Sequence, residues 1–191
     1  MKWLTASLLT LMVAGFATPA AAQDAPKAEI SGGWQLLSGK AEGDPERETF
    51  SKGWYFDIAG NITPVIGVVG QVSGNYKTFE DEAFEGEDFD LSIHTFMGGI
   101  RASSQGPVRG FGQFLLGGAR IHGSAGTESG SQTDFAIQLG GGVNVTGNAP
   151  VGLRIGLDWL KTFAKDDSEV TEGADINGVR FTIGVVFGIG G

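Results

Sequence analysis

The chain has 191 residues, a formal net charge of −9, 33 glycines and no cysteine. The length suits one domain, and the missing cysteines exclude disulfides, thiol catalysis, Cys-ligated zinc and a lipoprotein anchor. The acidic balance argues against a nucleic-acid partner, because nucleic acid is bound by basic surfaces.

The N-terminus has the three-part layout of a secretory signal peptide. Lys2 gives a positive start, residues 3–16 are mostly apolar, and Ala20-Ala21-Ala22 offers a cleavage site. The apolar run is short for a membrane-spanning helix, which needs about 20 residues. We therefore expect residues 1–22 to be a signal peptide and residues 23–191 to be an exported domain without a transmembrane helix.

The exported part follows a period of two residues, which is typical of strands. Glycine interrupts every candidate helical window. In the segment from Trp54 to Ile62, apolar Trp54, Phe56 and Ile58 alternate with Tyr55 and Asp57. The pattern predicts eight strands, near residues 28–39, 54–62, 65–77, 89–103, 108–122, 135–146, 151–159 and 179–189.

The alternation is blurred in the strands near 89–103 and 108–122. The face that carries His94 and Arg120 is nominally polar, yet it also carries Phe96, Phe114 and Leu116. A bulge or a larger inward apolar cluster would explain this equally well, and the sequence leaves both open.

The connections alternate between short and long. Pro64, Pro107 and Pro150 recur every 43 residues and mark the short turns. This arrangement predicts an all-β fold, an eight-stranded antiparallel up-and-down transmembrane β-barrel. The predicted short turns are at 63–64, 105–107 and 147–150, and the long polar connections are near 40–51, 78–88, 123–133 and 164–176.

A membrane barrel and a soluble barrel share this alternation but invert its faces. The polar faces here are sparse, carry both signs of charge and are rich in glycine and alanine, which suits a crowded lumen. Aromatic residues also stand near the loop-side strand ends, like an interfacial girdle. These features favour the membrane barrel over a soluble periplasmic lipocalin-like carrier. The girdle residues are Trp54, Tyr76, Phe135, Trp159 and Phe163.

The chain resembles the small OmpA/OmpX-like outer-membrane β-barrels of Gram-negative bacteria, often called porin-family proteins. The likeness is carried by GWYFDIAGNITPVIGVVGQVSGNYK, HTFMGGIRAS, GFGQFLLGGARI, GGGVNV and RIGLDWLKTF. It implies location in the cell outer membrane. The last strand resembles the family's assembly signal, which implies recognition by the outer-membrane assembly machinery, although Gly190-Gly191 stands where such chains often end on an aromatic residue. The signal residues are Thr182, Gly184, Phe187 and Ile189.

The interior of an eight-stranded barrel is just wide enough for side chains to fill it. Unpaired charges there would be costly to bury, so we expect a paired polar network that plugs the lumen. A narrow gated ion path along the same charges is the functional alternative. The candidate residues are Asp57, Arg120, Arg154, Asp158 and Arg180.

The long connections are acidic, and they predict either a solvated surface or divalent-cation bridging to lipopolysaccharide phosphates. The spacing of the carboxylates matches no EF-hand, so no metal ligand is assigned. We expect contact with outer-membrane lipid and lipopolysaccharide, and the extracellular partner stays unidentified. The acidic residues are Glu80, Asp81, Glu82, Glu85, Glu87, Asp88 and Asp90 in one connection and Asp166, Asp167, Glu169, Glu172 and Asp175 in another.

An enzymatic function has little support in the sequence. His122-Gly123-Ser124, with Glu128 nearby, resembles the His-x-Ser of barrel lipid A deacylases but lacks the Asn that usually follows the Ser. No nucleotide-binding or G-x-S-x-G motif is present. We expect no catalytic residues and no cofactor, and a structural or surface-interaction role. A lipid A esterase is the least favoured alternative.

Overall fold

The computed structural model describes residues 26–41, 47–79, 89–125, 128–147, 149–163 and 176–190. These residues form one antiparallel sheet whose strands are β1 (Ala28–Ala41), β2 (Glu48–Phe50), β3 (Lys52–Asn61), β4 (Ile66–Phe79), β5 (Phe89–Ser103), β6 (Val108–Ala125), β7 (Glu128–Val145), β8 (Val151–Phe163) and β9 (Ile176–Ile189). β1 pairs with β3, each strand from β3 onward pairs with the next, and β9 pairs back with β1 to close the barrel. Ser51 alone separates β2 from β3, and both pair with β1, so the nine elements make eight strands around the barrel.

The strands tilt strongly around the barrel. A path from Glu29 that follows paired residues once around the eight strands returns to β1 at Gly39. This residue lies ten positions further along the strand. With about 3.3 Å per residue and about 4.8 Å between strands, this stagger gives a tilt of about 40°. Eight strands at this tilt enclose an interior that side chains can fill.

The apolar face of the wall points outward. Phe56, Ile58 and Leu139 are 41%, 52% and 56% exposed, whereas Asp57 and Gln138 are buried. This is the face assignment of a membrane barrel, and it is the opposite of a soluble carrier's. No helix among the described residues is long and apolar enough to cross a membrane.

The blurred alternation of β5 and β6 comes from an inward apolar cluster and not from a bulge. The two strands pair without interruption from Phe89–Ala125 to Ser103–Phe111. Ile93, Met97 and Leu115 are buried inside. Phe96, Phe114 and Leu116 are exposed outside. The faces of both strands are therefore the reverse of those predicted, because their inner face is itself largely apolar.

The three predicted short turns join β3 to β4, β5 to β6 and β7 to β8. In the second of them Gly106 has a φ of 111°, a conformation that favours glycine. The long connection predicted at 123–133 is wrong, since β6 and β7 stay paired as far as Ala125 and Glu128. The predicted signal peptide lies outside the described residues, as do residues 42–46, 80–88 and 164–175 of the other three long connections. The connection predicted at 40–51 is wrong in its described part, which includes the end of β1 and all of β2.

Candidate functional site

A network of buried charges fills the half of the lumen nearest the short turns. Asp57 on β3 accepts hydrogen bonds from Arg101 on β5 at 3.0 Å and from Arg154 on β8 at 2.6 Å. Glu29 on β1 accepts from Arg154 at 3.2 Å and pairs with Arg109 on β6. These ion pairs join strands that are not neighbours in the sheet.

Two glutamine side chains and a further ion pair extend the network toward the middle of the barrel. Gln113 accepts from Arg101 at 2.8 Å and donates to Asp158 at 3.0 Å. Arg180 lies 3.6 Å from Asp158 and donates across the lumen to Gln71 on β4 at 2.6 Å. Side chains thus cross the interior in two directions.

The aromatic ring of Phe111 packs against two of these arginine side chains. The guanidinium carbons of Arg101 and Arg154 lie 5.0 and 4.7 Å from its centroid. Such contacts favour a desolvated cation. The arrangement therefore places each cation between carboxylates and an aromatic face, which offsets the cost of removing it from water.

Of the residues predicted for the lumen, the structure places Asp57, Arg154, Asp158 and Arg180 inside and buried. Arg120 does not join them: its side chain is exposed on the outer face and donates to Ser131 at 3.3 Å. The misplacement follows from the reversed faces of β5 and β6, because a shift of one residue moves every side chain to the other face.

Because of the same reversal, the lumen residues predicted from the sequence omit three members of the network. Arg101, Arg109 and Gln113 occupy odd positions of β5 and β6, which the apolar residues around them made look like the outer face. Glu29 was missed because it stands at the very start of β1. Assigning faces by the requirement that buried charges find partners would have recovered the three on β5 and β6.

The half of the lumen nearest the long connections holds an apolar cluster beside buried polar residues such as Asp134 and Thr162. Leu37, Phe50, Ile93 and Leu160 are buried there, packed with Ala119 and Ala136. Some polar atoms on this and the middle level, on Gln35, Asn75 and Gln138 among others, have no hydrogen-bond partner within the described residues. Groups of this kind bind internal water in protein interiors.

The five predicted girdle aromatics are all exposed on the outer wall. The Tyr76 hydroxyl lies 3.1 Å from the Trp54 indole nitrogen, which donates to it, and 3.1 Å from the His94 ring. Trp159 donates to Asn177 at 2.7 Å. Polar atoms of the girdle are therefore hydrogen-bonded to one another or to neighbouring polar side chains.

The esterase candidates lie on the outer face of β6, close to its end. His122 and Ser124 are both partly exposed, and no hydrogen bond joins them in the described part of the chain. Among the same residues no group of three or more His, Cys, Asp or Glu side chains could hold a metal. The described geometry offers no assembled nucleophile and base.

The barrel is similar to solved small barrels. It matches Neisserial surface protein A with a TM-score of 0.65 and 12% identity, covering 85% of this chain and 97% of that one. It matches Ail, the attachment invasion locus protein of Yersinia pestis, with a TM-score of 0.54 and 16% identity, covering 85% of this chain and 99% of that one. Ail has also been solved in complex with the heparin analogue sucrose octasulfate.

None of the curated protein sequences compared with the chain matches it. The family model described as the outer membrane protein beta-barrel domain matches residues 8–188. Together with the outward apolar face of the barrel, this places the protein in the outer membrane and disfavours the soluble periplasmic carrier. The chain belongs to the outer membrane protein beta-barrel domain family.

Proposed function

We propose that this protein is a non-conducting outer-membrane barrel with a structural or surface-interaction role. The observation that carries the proposal is the buried charge network. Arg154 connects β8 to β1 and β3, and Arg180 connects β9 to β4. A lumen crossed by such ion pairs holds its strands together and leaves little room for a diffusing solute.

The outward-reaching parts of the barrel support the surface role. The β6–β7 hairpin continues as paired strand beyond the girdle, to Ala125 and Glu128. The acidic connections, of which Asp90 lies within the described residues, would add negative charge at the same end. Contact with divalent cations and lipopolysaccharide phosphates is the interaction that this charge favours. The Ail complex with a heparin analogue supports a surface-interaction role for barrels of this size.

The last strand supports recognition by the outer-membrane assembly machinery. Phe187 and Ile189 are exposed on the outer wall, and Thr182 and Gly184 face the lumen. All four lie on β9, whose pairing with β1 closes the barrel. The proposed assembly signal therefore lies on a strand of the seam that closes the barrel.

Planar-bilayer conductance tests the closed lumen. The wild-type protein should show no steady openings, and Arg120→Gln, which alters an outward cation, should match it. Steady openings in the wild type that Asp158→Asn abolishes would establish the gated ion path instead. Heat-modifiable gel migration of each variant checks that the barrel has formed.

A further inference from the structure

The outer wall of β3 to β6 carries a polar patch that the lumen network does not explain. Two adjacent rows of register partners form it. One row runs from Trp54 through Gly74 and His94 to Arg120, and the other from Lys52 through Tyr76 and Ser92 to His122. In a chain of net charge −9, this patch brings two cations and two histidines together.

Gly74, in the middle of the patch, leaves the space that neighbouring aromatic side chains occupy. A Cβ at Gly74 would lie 2.7 Å from the Trp54 indole nitrogen and 3.0 Å from the Tyr76 hydroxyl. The indole therefore lies across β4 only because residue 74 has no side chain. The Trp54–Tyr76–His94 hydrogen bonds then fix the middle of the patch between Lys52 and Arg120.

The two cations stand at opposite ends of the patch. Three inter-strand spacings separate their strands, which is about 14 Å. Within the described residues neither Lys52 nor Arg120 forms an ion pair with a carboxylate. Asp90, the acidic residue on this face of β5, is four residues from His94 and accepts from Thr78 at 2.7 Å. Among the described residues, no carboxylate therefore competes with an anionic ligand for either cation.

On the side of the patch nearer the short turns, an apolar groove of about 940 Å³ lies on β3, β4 and β5. Gly70 and Gly98 are register partners on its level, and nothing lies within 4 Å of a Cβ built at Gly70. Phe56 and Phe96 border it, one row below the polar patch. Gly70 is four residues below Gly74, about 13 Å along the strand.

We propose that this wall binds one phosphorylated, acylated lipid of the outer leaflet, with phosphates at Arg120 and Lys52 and an acyl chain in the groove over Gly70. Charge complementarity selects an anionic headgroup, and the apolar groove that begins one row away from the patch selects a lipid over a second protein copy. The site deepens the proposed surface role, but it rests on the outer wall and is independent of whether the lumen is closed.

The test measures lipid binding to the purified, detergent-solubilised barrel by native mass spectrometry. The probes are bisphosphorylated lipid A and the same lipid with its phosphates removed. The wild type should bind one phosphorylated lipid, and binding should be roughly tenfold weaker without the phosphates, since charge-assisted hydrogen bonds are lost. Arg120→Gln and Lys52→Gln should each lose most of that preference. Gly70→Leu should weaken binding of both probes.

Two matched variants serve as controls. Lys161→Gln changes another cation on the outer face, on β8. Gly112→Leu adds a side chain at an outward glycine, where a Cβ would lie 3.9 Å from its nearest atom, the Gly140 carbonyl oxygen. Both should bind like the wild type, and heat-modifiable migration checks that every variant is folded. Equal affinity for the two probes, or equal loss in Lys161→Gln, would overturn the site. A Gly70→Leu variant that binds lipid normally but shifts a dimer to monomer would assign the groove to a second copy.

Discussion

The two halves of the lumen are built on the same inward face of the same strands, yet they are held by different forces. Near the short turns, Asp57, Arg101 and Arg154 are joined by ion pairs across the interior. Near the long connections, Leu37 and Leu160 belong to a cluster of buried apolar side chains. The two-residue alternation of a strand therefore does not determine whether its inward side chains are charged or apolar.

The difference matters because the two kinds of core fail differently. A buried charge that loses its partner keeps its desolvation cost, so members of the network depend on one another. A truncated apolar side chain loses its own contacts and leaves a cavity. We therefore expect the charged half to respond as a unit and the apolar half to respond locally.

The largest effect is expected from Arg154→Met. This change removes the partner that Asp57 and Glu29 share, along with hydrogen bonds to Ser31 and Asn144. Breaking a buried pair while its carboxylates stay costs about 3–5 kcal/mol. Equilibrium urea unfolding in lipid vesicles, followed by tryptophan fluorescence, measures the loss.

Arg120→Met is the matched control, since it removes an arginine from the outer face of the same barrel. Exposed charges contribute about 0–1 kcal/mol, so its unfolding free energy should stay near that of the wild type. If the two variants lost the same stability, the cross-barrel pairs would not be what holds the turn-side half.

The sequence predicts the inward face of some strands and not of others. On β9, Val179, Phe181 and Ile183 alternate with Arg180 and Thr182, so charge and hydropathy agree on the inner face. On β5 and β6 the inner face is apolar at the loop end, and hydropathy alone selects the wrong side. Alternation shows that a strand has two faces, but the partners of its charges decide which one is inside.

The hairpin of β6 and β7 could not be predicted for another reason. Residues 123–133 are rich in Gly, Ser and Thr, a composition typical of loops. Pairing across the two strands nonetheless continues to Ala125 and Glu128. Strand propensity depends on cross-strand neighbours, which a single segment does not reveal.

A smaller effect is expected from Leu160→Ala in the apolar half. Leu160 is fully buried, and a Leu→Ala change in a packed core costs about 2–5 kcal/mol depending on how far the site collapses. We expect this cost to stay below that of Arg154→Met, because no charged partner of Leu160 is left unpaired. Leu139→Ala, on the exposed outer face, should lose less in the same unfolding measurement.

The smallest effect, and the sharpest division between the halves, is the coupling between variants. Leu160 lies six residues from Arg154 on β8, about 20 Å along the strand, so the two losses should add to within about 0.5 kcal/mol. Asp57→Asn and Arg154→Met share a contact, so their double variant should lose about 1–3 kcal/mol less than the sum of the two. The double-mutant cycles use the same urea unfolding. A coupling of similar size in both cycles would mean that the lumen is one cooperative core, with charges and apolar side chains supporting each other along its whole length.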